Sequence, residues 1–529
     1  MPLRIAFIGA GSFGFTRTLV RDILLVLELR DVHIALHDID EQAQERMAQI
    51  LRKEITGNDL PATISTHLER KAALDGANYI ISCVRIGGVE AFQTDIDIPL
   101  TYGIDQCVGD TLCIGGIMYG QRNVPQMLAF QRDAKAVAAE GCLFLNYANP
   151  MAINTWAALD AADRGQGVDT VGLCHGVEGG WWQIDSVLAR LAGNEEYDWH
   201  DLRRHQRTQI VCAGINHQTW YVKIIHDGRL IGRDELLEAF EAHPKWSERE
   251  PVRIDVLRRF GCYSTESNGH LSEYVPWYRK RFGTDPTAAQ RWVGKGDWIH
   301  GETGGYLRIT TEARQLFDAD FEKLLGEAGG PMDAWRRSTE HGSHIIEARE
   351  TGRPYRGHFN VRNAGIIANL PDDCIVEAPG YVDRTGIQMS AGIELPQACA
   401  ATCRASIDVQ RMAKDAAVAG DVTLLKQAVL HDPLTASICE PEEIWQMVDE
   451  MLVAQRRWLP NYSNVDIDAA RERLAQHDRN GTRVKRRTWK GAARKPVRTV
   501  EQLHREESSA MLSADKAAAN RTPASSGVR

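Results

Sequence analysis

A glycine-rich turn directly after an apolar segment is the feature that most constrains the fold of this chain. The segment at 3–8, Leu-Arg-Ile-Ala-Phe-Ile, reads as a buried parallel strand, and Gly9, Gly11 and Gly14 follow it as Gly-x-Gly-x-x-Gly. In a βαβ unit the first glycine permits a tight turn, the second lets the backbone approach a phosphate, and the third lets helix and strand pack closely. The sequence therefore predicts a dinucleotide-binding start.

Strand-like and helix-like segments alternate after this turn. The predicted strands lie at 32–36, 62–66, 79–84, 143–146 and 170–173, with predicted helices at 16–29, 41–55 and 68–74. Alternation over about 175 residues predicts an α/β fold with a doubly wound parallel sheet of the Rossmann type, similar to lactate and malate dehydrogenases.

The alternation breaks up beyond residue 179, and a second, mixed α+β domain is expected there. Segments 208–213 and 220–225 could pair as antiparallel strands, 375–377 could add another, and 396–420 and 422–430 read as helices. We therefore predict a nucleotide-binding domain over 1–195, a substrate, metal and oligomerisation domain over 196–480, and a basic, partly disordered tail over 481–529.

Composition narrows the class of partner. The 529 residues carry a net charge of −9, which argues against nucleic acid as the main partner. The 11 cysteines have no framework spacing, which is typical of reduced thiols in a cytoplasm. The N-terminus has no secretory leader, and no long apolar run predicts a membrane span. We expect a cytoplasmic protein that binds neither nucleic acid nor membranes.

Asp38 ends the second predicted strand. A carboxylate at this position typically accepts hydrogen bonds from the adenosine ribose, and it would repel the 2′-phosphate of NADP. Asp38 therefore favours NAD. It could instead cap the helix that begins at Glu41, although Asp40 is the better candidate for that cap.

Cys174 follows the predicted strand at 170–173, at the carboxyl edge where open α/β sheets place their ligands. His175 is its neighbour, and His217 lies in the later run Gly-Ile-Asn-His. A thiolate and an imidazole are good ligands for zinc, manganese, iron or cobalt, and two such ligands leave positions open for substrate oxygens. A small core cysteine and a satisfied core histidine are the structural alternatives.

Three further polar segments have the character of a carbohydrate site. Asn149, before Pro150, offers both a donor and an acceptor to sugar hydroxyls, or else simply forms a turn. The run at 263–274, which contains His270, is dense in polar groups close to two aromatic residues, and its alternative is a solvated loop. Arg362 could orient a substrate hydroxyl or carboxylate, or pair with a surface acid.

With these motifs the chain resembles glycoside hydrolase family 4, the NAD- and manganese-dependent glycosidases. The matching motifs are Gly-Ala-Gly-Ser (9–12), Gly-Asp-Thr (109–111), Asn-Tyr-Ala-Asn-Pro-Met (146–151), Cys-His-Gly-Val (174–177), Gly-Ile-Asn-His (214–217), Thr-Glu-Ser-x-x-His-x-x-Glu-Tyr (265–274) and Asn-Val-Arg-Asn (360–363). Within the family the chain most resembles the α-galactosidase branch. Gly176 departs from that branch, which often has serine at this position. The run Cys-His-Gly that it completes is similar to the α-glucuronidase branch.

The resemblance implies hydrolysis of α-glycosides, above all α-galactosides, by oxidation of C3 with NAD, deprotonation of C2, elimination, addition of water and re-reduction. It implies NAD and Mn²⁺ as cofactors, and a homodimer or homotetramer. The implied roles are as follows: cofactor binding by Gly9, Gly11, Ser12, Gly14, Asp38 and Asn146, metal binding by Cys174 and His217, substrate binding by Asn149, His270 and Arg362, and catalysis by His175 as acid and Tyr274 as base. Tyr263 and His270 are rival candidates for the proton transfer at C2.

Three alternatives remain at this stage. An α-glucosidase or α-glucuronidase of the same family would share every motif. A plain dehydrogenase of the lactate or malate type would need the nucleotide turn but no metal thiolate, so Cys174 counts against it. A non-catalytic NAD-sensing protein would bind NAD without turnover of any α-glycoside.

Overall fold

The computed structural model describes residues 2–193, 207–280, 291–293, 298–484 and 494–506. Its first part contains the strands β1 (Arg4–Ile8), β2 (His33–His37), β3 (Thr63–His67), β4 (Tyr79–Ser82), β5 (Leu143–Asn146) and β6 (Asp169–Gly172). They are parallel, and their spatial order is β3-β2-β1-β4-β5-β6. This is the order of two linked nucleotide-binding halves, so the predicted Rossmann-type sheet is confirmed.

The helices of this part are α1 (Phe13–Leu24), α2 (Glu41–Gly57), α3 (Arg70–Leu74), α4 (Gly88–Thr101), α5 (Cys113–Val137), α6 (Met151–Asp163) and α7 (Gly176–Leu191). The helix expected at 16–29 is shorter than predicted at its C-terminal end, because Val26 is extended and only a 3₁₀ turn, Leu27–Leu29, follows. The long helix α5 was not predicted. Most of its residues are buried and Pro125 lies inside it, so its sequence lacks the one-sided apolar period of a surface helix.

The second part continues the same sheet with antiparallel strands. They are β7 (Thr208–Ile215), β8 (Gln218–His226), β9 (Arg229–Leu230), β10 (Tyr263–Ser264), β11 (Tyr355–Arg362), β12 (Ile375–Asp383) and β13 (Gly386–Met389). β11 joins β6 through the pair Asn360 and Gly172, and β12, β7, β8 and β10 follow in that order. The predicted antiparallel pairing of the segments near 208 and 220 is confirmed. The described residues thus form one 13-stranded sheet.

The second part also contains helices. Their bounds are α8 (Arg233–Ala242), α9 (Trp246–Arg249), α10 (Pro251–Phe260), α11 (Asn268–Tyr274), α12 (Gly305–Glu327), α13 (His341–Thr351), α14 (Gln397–Ala419), α15 (Val422–His431), α16 (Pro433–Ala436), α17 (Pro441–Gln455) and α18 (Asn464–Asn480), with 3₁₀ turns at Trp298–His300, Met332–Ala334 and Arg456–Trp458. The predicted helices at 396–420 and 422–430 agree with α14 and α15. Together with the antiparallel strands they make the expected mixed α+β part.

The predicted division of the chain into domains remains a prediction. The boundary expected at residue 195 lies outside the described residues, while the sheet itself runs through both parts. Of the predicted tail, 485–493 and 507–529 also lie outside them. Within the described stretch 494–506, Arg498 Nη2 contacts Glu312 Oε2 of α12 at 2.7 Å, and Leu503 is buried. This stretch packs on the body of the protein.

Both parts direct loops to one edge of the sheet. The turns after β1, β5 and β6 leave the carboxyl ends of parallel strands, and the turn from β7 to β8 enters beside them from the antiparallel part. No helix in the described ranges is both long enough and apolar enough to cross a membrane.

Candidate active site

The glycine turn after β1 is fixed against the end of β2. Gly9 has a φ of +86°, and its N–H donates to His37 O at 3.0 Å. The N–H of Gly11 donates to Asp38 Oδ2 at 2.8 Å, and a Cβ at Gly11 would stand 2.8 Å from Ala43 Cβ. Glycine at 11 therefore allows close approach within the protein itself. Helix α1 begins at this turn, and the free N–H groups at a helix N-terminus favour binding of an anion.

The remaining residues of this turn differ in role. Asp38 also accepts from the N–H of Asp40 at 2.9 Å, whereas Asp40 caps α2 by accepting from Ala43 N at 3.0 Å. Asp40 is thus the helix cap, as expected. Ser12 is the N-cap residue of α1, but its side chain caps no backbone group of that helix. The expected packing role of Gly14 is corrected, because Gly14 is exposed and a Cβ there would meet no atom within 4 Å.

The two asparagines after β5 behave differently. Asn146 is fully buried, and its side chain closes the turn by donating to Thr155 Oγ1 at 3.2 Å and accepting from Ala148 N at 3.0 Å. Its amide is committed to the fold, which leaves the predicted cofactor contact without support from the geometry. Asn149 instead points into the site, where it donates to Asp110 Oδ2 at 2.8 Å.

Cys174 and His217 are brought together, although 43 positions separate them in the chain. With Glu266 they form a group whose ligand atoms all lie within 4.8 Å of one another. Burial, together with the nearby Glu266 and Glu377, raises the pKa of the Cys174 thiol. Thiolate, imidazole and carboxylate are a donor set that fits a divalent transition ion, so these residues fit the expected metal.

Hydrogen bonds fix the orientation of the His217 ring. Thr111 Oγ1 donates to Asp110 Oδ1 at 2.8 Å, so its lone pair accepts from His217 Nδ1–H at 2.7 Å. The other ring nitrogen, Nε2, faces Glu266 Oε1 at 3.8 Å. A histidine held in this way through its other nitrogen is typical of a metal ligand. The backbone of His217 is in the left-handed region, with a φ of +63°, in the two-residue turn between β7 and β8.

His270 lies against His217, with ring centroids 5.0 Å apart. Ser267 Oγ donates to Ile299 O at 2.9 Å and therefore accepts from His270 Nδ1–H at 2.7 Å. Burial lowers the pKa of His270 to about 4. His270 is thus a neutral imidazole with an accepting Nε2, and Asp110, His217 and His270 form a second group with metal-ligand spacing.

Tyr274 and Tyr263 differ in how close they lie to this cluster. The Tyr274 ring is 6.2 Å from the His270 ring, and the side chain is fully buried. Burial, with Asp110 and Glu273 nearby, raises the pKa of Tyr274. Tyr263 donates to Gln183 Oε1 at 2.9 Å and stacks on Phe240 at 4.2 Å, so its hydroxyl serves the packing around β10.

His175 forms an ion pair with Glu340, with 2.9 Å between Nδ1 and Oε1. Glu340 raises the pKa of His175 to about 9, against the effect of burial. His175 is therefore protonated at neutral pH, and 55% of its side chain is accessible. That state fits a general acid.

Arg362 is not brought to this cluster. Its guanidinium pairs with Asp160 and Asp163 near the C-terminal end of α6, at 2.9 Å from each, and donates to Asp373 O at 3.1 Å. The predicted metal and nucleotide residues lie instead near the N-terminal end of α6. The expected substrate contact of Arg362 is therefore corrected to an ion pair with surface acids, the alternative that the sequence left open.

The acids to which the sequence interpretation gave no role include Asp110, Glu266, Glu340 and Glu377 of this site. Asp110 and Glu266 stand inside motifs that were recognised, so the signal was present. Glu340 precedes α13 and Glu377 lies in β12, and neither has a local pattern that sets it apart. Burial raises the pKa of Glu377 to about 8. Only the fold reveals these last two.

Comparison with known proteins gives matches over most of the chain. A model of the family 4 glycosyl hydrolases matches residues 4–189, and a model of that family's C-terminal domain matches residues 212–435. An α-galactosidase of Rhizobium meliloti (strain 1021) is 56% identical over 511 residues, covering 97% of this chain and 99% of that protein. An α-galactosidase of Bacillus subtilis (strain 168) is 31% identical over 472 residues, covering 87% and 99%.

A solved structure has the same fold. It is the 6-phospho-β-glucosidase of Thermotoga maritima with manganese, NAD⁺ and glucose-6-phosphate, which superposes with a TM-score of 0.66 at 20% identity. The match covers 86% of this chain and 99% of that one. The likeness therefore includes both the nucleotide-binding part and the mixed part of the sheet.

Proposed function

Because this chain belongs to glycosyl hydrolase family 4, we propose that it is an NAD- and divalent-metal-dependent α-glycosidase that hydrolyses α-galactosides. The observation that carries the proposal is the meeting of Cys174 and His217 at the sheet edge that also bears the Gly9–Gly11 turn. The choice of α-galactosides is supported by the relative that is 56% identical over nearly the whole chain.

Different side chains of the protein would have different roles in the reaction. When bound, NAD⁺ supplies an acceptor for the C3 hydride and the divalent ion supplies a Lewis acid that makes the neighbouring C2 proton removable. Cys174 and His217 would hold the ion, and Mn²⁺ is favoured by the related fold solved with manganese and NAD⁺. Tyr274 would take the C2 proton, and protonated His175 would give a proton to the departing glycosidic oxygen. Asn149 would orient a sugar hydroxyl through the amide that contacts Asp110.

We propose further that the enzyme acts in the cytoplasm as a homodimer or homotetramer. Reducing conditions there keep a ligand thiol such as Cys174 free. Fractionation of the source cells would test the compartment, and light scattering on the purified protein would test the assembly, with a monomer contradicting it.

The reaction class has a direct test. Protein supplied with NAD⁺, Mn²⁺ and a thiol should release nitrophenol from p-nitrophenyl α-galactoside faster than from the α-glucoside or α-glucuronide. In D₂O the galactose formed should carry deuterium at C2, with no net NADH. Full activity after removal of NAD⁺ and chelation of the metal would contradict the mechanism. Stoichiometric NADH would favour a plain dehydrogenase, and faster turnover of another glycoside would reassign the substrate.

The nucleotide preference is expected to depend on Asp38. Asp38→Asn should raise the Kd for NAD⁺ about 10- to 100-fold, because a charge-assisted hydrogen bond is worth roughly 1.5–3 kcal/mol. It should also narrow the preference over NADP⁺, since the repelling charge is gone. Isothermal titration with both nucleotides measures the two effects.

Asp40→Asn is the matched control for this prediction. Asparagine caps helices as well as aspartate does, so α2 should stay intact and the NAD⁺ affinity unchanged. Equal losses of NAD⁺ affinity in Asp38→Asn and Asp40→Asn would mean that Asp38 affects nucleotide binding only by holding the local backbone.

A further inference from the structure

The absence of a side chain at Gly176 leaves space that a neighbouring carboxylate occupies. It begins α7 directly after Cys174 and His175. A Cβ at Gly176 would overlap the carboxylate of Glu266, so the Glu266 side chain would have to move from its present position. The space that a side chain at position 176 would need is therefore occupied by the Glu266 carboxylate.

The Glu266 carboxylate in turn faces both expected metal ligands. The Cys174 thiol donates to Glu266 Oε1 at 3.3 Å, and His217 Nε2 lies 3.8 Å from the same oxygen. Metal–sulfur bonds of about 2.3 Å and metal–oxygen or metal–nitrogen bonds of about 2.1 Å put neighbouring donor atoms roughly 3–4 Å apart. The spacing around Glu266 Oε1 is thus that of ligands on one ion.

We propose that Glu266 is a third protein ligand of the divalent ion held by Cys174 and His217, and that Gly176 is the residue that admits it. The inference rests on the proposed function only for the presence of that ion. A carboxylate adds a hard, anionic donor to the thiolate and imidazole, which shifts the site's preference towards Mn²⁺. It also removes one of the positions otherwise left to substrate oxygens.

The test is Mn²⁺ binding by the purified protein without NAD⁺ or substrate, followed by the electron paramagnetic resonance signal of free Mn²⁺. Glu266→Gln should weaken binding by at least about 100-fold, since loss even of groups that only support a ligand costs 10- to 100-fold. Gly176→Ala should also weaken Mn²⁺ binding, because the added methyl group displaces the Glu266 carboxylate from beside Cys174 and His217. The double variant should bind no more weakly than Glu266→Gln alone, because both changes remove one contact.

Gly179→Ala is the control on the same helix, because a Cβ there would meet no atom within 4 Å. It should bind Mn²⁺ as the wild type does. Loading with Co²⁺ gives a second readout, in which Glu266→Gln keeps the sulfur-to-cobalt charge-transfer band of Cys174 while its d–d bands shift.

Three results would overturn all or part of the inference. Wild-type Mn²⁺ affinity in Glu266→Gln would exclude ligation by Glu266 and leave the proposed function standing, provided that the wild-type protein binds Mn²⁺ and turns over its substrate. Additive losses in the double variant would show that Gly176 acts by another route. A wild-type protein that binds no divalent ion would overturn both the inference and the proposed function.

Discussion

Replacing Cys174 with serine is expected to lower kcat/KM for p-nitrophenyl α-galactoside about 1000-fold, because a Lewis acid supplies several kcal/mol and each 1.4 kcal/mol is a factor of ten. Serine at this position is a neutral, hard donor that holds a transition ion far less well than a thiolate. NAD⁺ affinity should stay near the wild-type value, since the nucleotide turn is built on β1 and β2. Steady-state kinetics and nucleotide titration measure the two quantities.

Cys142→Ser makes the same chemical change away from the site. Cys142 is buried just before β5, at the opposite end of that strand from Asn146 and the site. Activity should be retained within a few-fold. Wild-type protein treated with EDTA should lose activity and regain it with Mn²⁺, whereas Cys174→Ser should regain little. A Cys174→Ser enzyme with wild-type kinetics would remove the metal from the mechanism.

The parallel half of the fold could be predicted because its signals are local. Each strand is a short apolar run that ends in a polar turn, and the cap at Asp40 was identified from its position alone. Helix α5 was not predicted because it is buried along most of its length, so its sequence lacks the apolar–polar periodicity that indicates a helix. The junction between the parallel and antiparallel parts also lacks a local signal, since Asn360 and Gly172 are 188 positions apart.

The site was predictable where a reactive residue stands at the end of a strand. Cys174 and His217 met this condition. Arg362 and Asn146 stood in equally polar motifs, yet their side chains are satisfied by Asp160 and by the turn after β5. The sequence cannot tell a polar group that faces a ligand from one already paired within the protein. Glu340, which pairs with His175, has no motif at all, and only the packing of α13 against β11 and β12 brings it there.

Tyr274→Phe is expected to lower kcat about 100- to 10,000-fold, the range for loss of a general base. Burial of Tyr274, together with the nearby acids Asp110 and Glu273, raises the pKa of its hydroxyl, which is the opposite of what a base needs. A divalent cation beside Cys174 and His217 would counter this and favour the phenolate. The role therefore predicts more than a rate loss: exchange of deuterium into C2 of the product should slow with kcat, and the isotope effect of a C2-deuterated substrate should rise.

Tyr263→Phe is the matched control, because it removes the same hydroxyl from a neighbouring buried tyrosine. That hydroxyl bonds Gln183, so its loss should lower the free energy of unfolding by about 1 kcal/mol and leave the C2 isotope effect unchanged. His270→Gln tests the remaining candidate for the proton transfer, because neutral His270 has an accepting Nε2. If His270→Gln loses deuterium exchange at C2 while Tyr274→Phe retains it, the proton transfer belongs to His270. If Tyr274 had only a structural role, Tyr274→Phe would lower the stability and kcat without changing the isotope effect. That result would show that Tyr274 does not take the C2 proton.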